Sequence, residues 1–293
     1  MSLALATANW AREFRPLLIL GRVSNLPTVW SNCLAGWLLG GGGGIKRFAL
    51  LCLGASCLYL GGMFLNDAFD SEYDQQYRKE RPLPSGSITL GQVWGWGFGW
   101  LLAGGLLLSL LGKSAFLLTL LLVVCILLYD AIHKVITLSP LVMALCRWLL
   151  YLLASSAAAN GVSGLAIWSG LALAAYIVGL SYLARGERAC GARISWPCWL
   201  LGAPMVLAWA ANTGDYRLRA LFFSAVLAIW VARCLHETFW APTASVVRTV
   251  SGLLAGICLV DLLAVAGGTF ATASSFLLLF GMAVLCQRFI PAT

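Results

Sequence analysis

Apolar residues run through this chain in long blocks, and polar positions fall between the blocks instead of alternating within them. Ten blocks stand out, at about Pro16–Leu39, Lys46–Asp67, Leu90–Gly112, Ser114–His133, Ser139–Asn160, Gly164–Arg185, Trp196–Asn212, Arg217–Glu237, Arg248–Ala266 and Thr272–Ile290. Most are about 18 to 24 residues long, the length that takes an α-helix across a bilayer. Continuous apolar runs exclude a β-barrel, whose strands alternate. The pattern predicts an all-α polytopic membrane protein of nine to ten transmembrane helices, with residues 1–293 forming a single domain.

Composition agrees: 61% of the chain is hydrophobic and 10% is charged, too apolar for a soluble protein of this length. The formal charge of +8 does not point to nucleic acid, because the cations gather between the blocks. With the N-terminus inside, only Lys46, Arg47, Lys113, Arg217 and Arg219 face outward, and twelve Lys and Arg residues, among them Arg78, Arg81, Lys134 and Arg185, face the cytoplasm. That asymmetry predicts a multi-pass protein of a bacterial inner membrane or its equivalent, in contact with membrane lipid and with both termini and the polar loops cytoplasmic. Met1–Arg15 shows no cleavable signal pattern. The ten cysteines are scattered without CxxC spacing and read as small buried hydrophobes. The two loops that follow the second and sixth helices are long and stand four helices apart, which hints at a duplicated four-helix unit.

The charge within those loops is uneven. Asp67, Asp70, Glu72, Asp74 and Glu80 are five of only eleven acids, and they lie within fourteen positions directly after an apolar block. Asp67, Asp70 and Asp74 stand at i, i+3 and i+7, so on a continued helix they share one face. Like charges so close repel, and a divalent cation relieves the repulsion. Carboxylates that share an ion with water and phosphate describe a magnesium site. Arg78, Lys79 and Arg81 follow at once, and guanidinium forks suit phosphate. The cluster therefore suits a diphosphate with Mg²⁺. The alternative is a solvated loop of mixed charge.

Asn66-Asp-x-x-Asp-x-x-x-Asp74, followed by Arg81-Pro-Leu-Pro-Ser-Gly86, resembles the first aspartate motif of the UbiA superfamily of intramembrane prenyltransferases, in sequence and in its position after the second helix. The resemblance implies a helical bundle around a central cavity open laterally to lipid. It also implies a polyprenyl diphosphate as one substrate, Mg²⁺ held on two aspartate motifs, and a lipophilic, usually aromatic, acceptor of unknown identity. The family has nine helices, so the segment after Ala266 would be an addition or a re-entrant end. On this reading Asn66, Asp67, Asp70 and Asp74 are metal ligands, with Asp67 and Asp70 essential to catalysis.

Other polar positions follow the same resemblance. Arg22 and Asn25, three apart in the first block, would line the acceptor side; the alternative for Arg22 is a snorkelling arginine. Lys134, with Tyr129 five residues before it where relatives keep a Tyr one turn earlier, would face the diphosphate; the alternative is a surface i,i+4 ion pair between Asp130 and Lys134. Arg147 in the fifth helix would reach the same phosphate or neutralise a carboxylate. Asp261 would be hydrogen-bonded within the bundle, and His133 and His236 receive no role. Trp94, Trp96 and Trp100, interleaved with Gly95, Gly97 and Gly99, read as interface anchors and a close-packing surface.

The second motif departs from the pattern. In Ser181-Tyr-Leu-Ala-Arg-Gly-Glu-Arg-Ala-Cys-Gly191, Leu183 and Glu187 fall where the family has two aspartates, flanked by Arg185 and Arg188. One carboxylate, Glu187, remains as a metal ligand. Arg185 and Arg188, beside Tyr182, would then grip the diphosphate directly, or serve only as positive-inside anchors. The reading is an enzyme that transfers a polyprenyl group from its diphosphate to an acceptor, with Arg78, Arg81, Tyr129, Tyr182, Arg185 and Arg188 at the substrate. The rival is a non-catalytic relative that binds, moves or scaffolds an isoprenoid or lipid. An unrelated transporter has no need of the motif.

Overall fold

A computed structural model describes residues 14–186, 196–240 and 245–292. The chain is helical throughout these residues. Residues 14–20 form α1, which a 3₁₀ turn at Val23–Asn25 joins to α2 (Leu26–Leu39). There follow α3 (Ile45–Phe69), a short α4 (Ser71–Tyr77), α5 (Leu90–Ser109), α6 (Lys113–Ile132), α7 (Ser139–Ser156) and α8 (Gly164–Gly186). The C-terminal part comprises α9 (Pro197–Leu200), α10 (Ala203–Ala211), α11 (Asp215–Phe239), α12 (Val246–Ala264) and α13 (Phe270–Cys286).

Among the described residues, six helices are long and apolar enough to cross a membrane: α3, α6, α7, α8, α11 and α12. The other four expected blocks depart from that standard for local reasons. The first is broken at Arg22, which takes the left-handed conformation at φ 41° and ψ 48°. The block at Trp196–Asn212 divides into α9 and α10 around Leu201–Gly202, with Pro204 at the start of the second helix; proline suits a helix start and disrupts an interior. The last block forms a helix of 17 residues. In α5, Gln92 and the interleaved tryptophans and glycines dilute the apolar character.

α3 and α5 lie against each other through small residues. A Cβ on Gly61 would stand 2.9 Å from the Gly97 carbonyl oxygen, and one on Gly104 would stand 2.8 Å from that of Gly54. The backbones therefore approach closely, as small-residue stripes permit in membranes. Of the three glycines between the tryptophans, only Gly97 serves this contact; Gly95 and Gly99 face open space.

Two large apolar clusters, and a small one of Leu20, Phe64, Ala68 and Val93, make up the core. One joins α2, α3, α5, α6 and α7 through residues such as Leu51, Leu58, Leu122 and Leu153. The other joins α2, α7, α8, α11, α12 and α13 through Leu173, Ile177, Leu227, Ile257 and Phe276. α2 and α7 belong to both. Between the clusters, the C-terminal ends of α3, α6 and α8 and the N-terminal ends of α2, α7 and α12 meet around one cavity.

Candidate active site

The acidic segment is almost a continued helix. Asp70 closes α3 with its N–H on the Asn66 carbonyl (3.0 Å) and opens α4, whose Asp74 N–H returns to the Asp70 carbonyl (2.9 Å). The carboxylates thus keep nearly helical spacing, and Asp67, Asp70 and Asp74 are all buried. After α4 the chain doubles back. The Ser85 N–H bonds the Arg81 carbonyl and Ser87 N–H bonds the Pro82 carbonyl, with Gly86 at φ 76°. This proline–glycine turn lays Arg81 over the acids. Arg81 Nη1 lies 2.7 Å from Asp74 Oδ2 and 3.2 Å from Asp67 Oδ1.

Arg22 approaches from the other side. Its left-handed backbone costs about 1–2 kcal/mol, and the Tyr59 hydroxyl, 3.3 Å from the Arg22 carbonyl oxygen, helps hold it. The side chain donates from Nη2 to Asp67 Oδ1 (2.9 Å) and Asn66 Oδ1 (3.3 Å), and its Nη1 lies 3.4 Å from Met63 Sδ. Arg22 and Asn25 therefore do not share a helix face, because the helix stops between α1 and α2. Both line the cavity, but Asn25 donates to the Ala292 carbonyl (2.9 Å), which docks the segment after α13 beside the break.

α6 ends at Ile132, so Lys134 leaves the helix face on which it would meet Asp130. It pairs instead with Asp70, Nζ to Oδ1 at 2.7 Å, and lies over the Tyr73 ring at 3.8 Å. His133 joins it, with Nε2 at 3.3 Å from Asp70 Oδ1 and its ring stacked on Tyr129. Burial pushes the Asp70 carboxyl up, but hydrogen bonds from His133 and Lys134 outweigh it and hold the group below its ordinary value. Asp130 is buried and accepts from Asn66, Nδ2 to Oδ1 at 3.1 Å.

The remaining candidates divide. Arg78, Tyr129, Arg147 and Arg185 line the cavity; Tyr182 does not. Arg185 is tied to the α6–α7 connection, donating to the carbonyls of His133, Ile136 and Thr137 and to Ser139 Oγ; Tyr182 donates to the Thr137 carbonyl at 3.2 Å. Arg147 lies deeper and touches none of the motif acids. It donates to Asn32 Oδ1 (2.7 Å) and Thr28 Oγ1 (3.3 Å), and Asn32 in turn donates to Asp261 Oδ2 (2.8 Å), which also accepts from Ser31. Leu183 is buried in the core. Glu187 and Arg188 lie outside the described residues. Sequence reasoning missed Tyr59, His133 and Asp130. Tyr59 stands seven residues before Asn66, hence on its face, and was recoverable from helical periodicity.

The cavity measures about 350 Å³. Leu58, Leu122, Ile126, Leu150 and Ile177 give it largely apolar walls, with Arg147 among them, and Arg22, Asp70, Arg78, Arg81, Asp130 and Arg185 line it as well; Asp67, Asp74 and Lys134 stand behind this lining, paired with Arg22, Arg81 and Asp70. A second cavity of about 380 Å³ opens at the other end of the bundle, but no charged side chain lines it. The chemistry therefore belongs to the first.

Do the residues fit a hard divalent ion? Among the described residues, no three His, Cys, Asp or Glu side chains close around one point. Two carboxylates from different helices nevertheless converge on one positive group, Arg81 Nη1, and a carboxylate and an amide oxygen converge on Arg22 Nη2. Asp74 Oδ1 is buried without a hydrogen-bond partner. An all-oxygen set with an orphaned carboxylate oxygen fits Mg²⁺, which binds through one or two carboxylates and completes its shell with water and phosphate.

Comparison with known proteins bears on the family and the fold. The UbiA prenyltransferase family matches residues 25–198. A structure of digeranylgeranylglyceryl phosphate synthase superimposes with a TM-score of 0.61 at 19% identity, covering 89% of this chain and 99% of the other. A UbiA homolog from Aeropyrum pernix K1 gives 0.51 at 18% identity, covering 92% and 96%. At such identities the likeness is one of fold. No curated protein sequence matches the chain.

Proposed function

From the premise that this chain belongs to the UbiA prenyltransferase family, we propose that it transfers a polyprenyl group from a prenyl diphosphate to a lipophilic acceptor inside the membrane. One observation carries the reading: a cavity with largely apolar walls that is also lined by Asp70, Arg22 and Arg81, the two arginines being held by the buried carboxylates Asp67 and Asp74 behind them. The apolar part holds the prenyl chain and keeps water from the reacting carbon. The mouth holds the diphosphate, with Arg22, Arg78, Arg81 and Lys134 as its donors and Arg185 and Arg188 at the second-motif end.

The reaction breaks the bond between the allylic carbon and the bridging diphosphate oxygen. Negative charge gathers on the departing diphosphate, and donors fixed before the reaction stabilise it. The allylic carbon then bonds to the acceptor, which gives up a proton. Asn66, Asp67, Asp70 and Asp74, with Glu187, would hold Mg²⁺, which when bound neutralises the leaving group as a Lewis acid. A non-catalytic reading, in which the cavity holds an isoprenoid without ionising it, draws support from Leu183, an apolar core residue where a carboxylate is needed.

The test is purified protein with Mg²⁺ and allylic diphosphates of several chain lengths, with and without aromatic acceptors. Acceptor-dependent pyrophosphate release supports transfer. Tight binding of the diphosphate with no release in any combination assigns the chain to the non-catalytic reading.

A further inference from the structure

Asn66 and Asp130 stand 64 positions apart, on α3 and α6, and meet as buried side chains at the cavity wall. A primary amide has two faces, a donor NH₂ and an acceptor oxygen, and rotation by half a turn exchanges them. Here the contacts fix the choice. Arg22 can only donate, so it takes the oxygen, and the NH₂ is left to donate to Asp130 Oδ1. Both contacts polarise the amide in the same sense. Its oxygen is thereby turned toward Asp67, since Arg22 Nη2 reaches Asn66 Oδ1 and Asp67 Oδ1 together.

The other carboxylates of the mouth have a different role. Asp67, Asp70 and Asp74 each pair with a cationic side chain. Asp130 pairs with no Lys, Arg or His among the described residues, and its only partner there is the Asn66 amide. A buried acidic side chain given to one amide contact makes sense if the direction of that amide matters.

We propose that Asp130 is a positioning residue: it locks the Asn66 carboxamide with its oxygen toward Asp67, so that amide and carboxylate oxygens face a divalent cation together. This inference rests on the reading of Asn66 and Asp67 as cation ligands. It gives Asp130 the part that outer-shell partners play in orienting metal ligands. The arrangement is a polarity, one acceptor facing one donor, so it can be reversed. In the double variant Asn66→Asp/Asp130→Asn the new amide on α6 donates to the new carboxylate on α3, whose second oxygen still faces Asp67. Net charge is unchanged and side-chain volumes are nearly so.

The experiment is a titration of detergent-solubilised protein with Mn²⁺ as the Mg²⁺ probe, read by electron paramagnetic resonance without any diphosphate, so that turnover plays no part. Asp130→Leu should raise the Mn²⁺ dissociation constant about ten- to a hundredfold, and the double variant should recover most of that loss. A folded Asp130→Leu variant with unaltered affinity overturns the proposal, as does a double variant no tighter than Asp130→Leu. Should Asp130→Leu not fold, Asp130→Asn replaces it, because that amide can no longer dictate the direction of Asn66; the double variant must then bind tighter than this single one. A residue that only supports packing would leave the affinities of all folded variants equal. Absence of Mn²⁺ binding by the unaltered protein overturns the cation-site reading itself, and this inference with it.

Discussion

Arg81→Ala separates the fold's need for charge from the proposed binding of Mg²⁺ at the site. In the structure Arg81 Nη1 pairs with Asp74 at 2.7 Å, and it shares Asp67 with Arg22. The two carboxylate side chains are only 3% and 6% exposed, and Arg81 is 15% exposed, so water screens the interaction little. Removing Arg81 leaves Asp67 one cation and takes from Asp74 the cation it has. A buried ion pair that loses one partner costs about 3–5 kcal/mol, most of it the uncompensated charge left behind. For a chain of this length each kcal/mol moves the thermal midpoint by about 2 °C, so Arg81→Ala should melt roughly 6–10 °C lower in EDTA. Adding Mg²⁺ should restore a good part of that loss and should stabilise the variant more than the wild type, where Arg81 competes for the same oxygens. Asp74→Asn in the Arg81→Ala background should be less damaging than either change predicts alone, since the charge to be compensated is gone. Scanning fluorimetry of the four proteins, with EDTA and with Mg²⁺, reads all of this. An Arg81→Ala variant as stable as wild type refutes the buried-charge argument. A destabilised variant indifferent to Mg²⁺ refutes the placement of a cation among Asp67, Asp70 and Asp74.

Asp67→Ala and Asp70→Ala should each abolish Mg²⁺-dependent turnover yet insert into the membrane normally, and normal turnover of both would remove the metal role. Arg185→Ala and Arg188→Ala should weaken a non-hydrolysable prenyl diphosphate analogue roughly ten- to a hundredfold, the worth of a charge-assisted contact at about 1.5–3 kcal/mol. Unchanged affinity in both would leave these arginines as anchors, Arg185 through its bonds to the α6–α7 connection. An impermeant thiol reagent applied outside intact cells should label Gly42→Cys and not Ser85→Cys; the reverse inverts the topology. Asp70 sits below its ordinary value, so the stability it contributes is complete above its unfolded value of about 4 and is lost as pH falls through the lower folded value. Acid unfolding curves of wild type and Asp70→Asn should therefore differ most above about pH 4 and converge only as the pH falls through the lower folded value.

What the sequence discloses depends on how far apart the interacting groups stand along the chain. Helices and the acid run are local patterns, readable from periodicity and spacing. The break at Arg22 is less so, because Gly21-Arg-Val-Ser-Asn-Leu-Pro27 continues an apolar block, and only Pro27, near the start of α2, marks the restart. The same limit explains Lys134. Counting along an unbroken helix puts it one turn from Asp130 and suggests an ion pair, but α6 stops at Ile132 and the lysine turns to Asp70, 64 residues away in sequence. Asp130, relieved of that partner, is then free for Asn66. An error of two residues in a helix end thus reassigns two acidic side chains, and with them the contacts of the Asn66 amide. Sequence spacing picks out acids that the fold buries near one another, but which cation faces which acid is fixed where α3, α6 and the Arg81 turn converge, and no local pattern contains that.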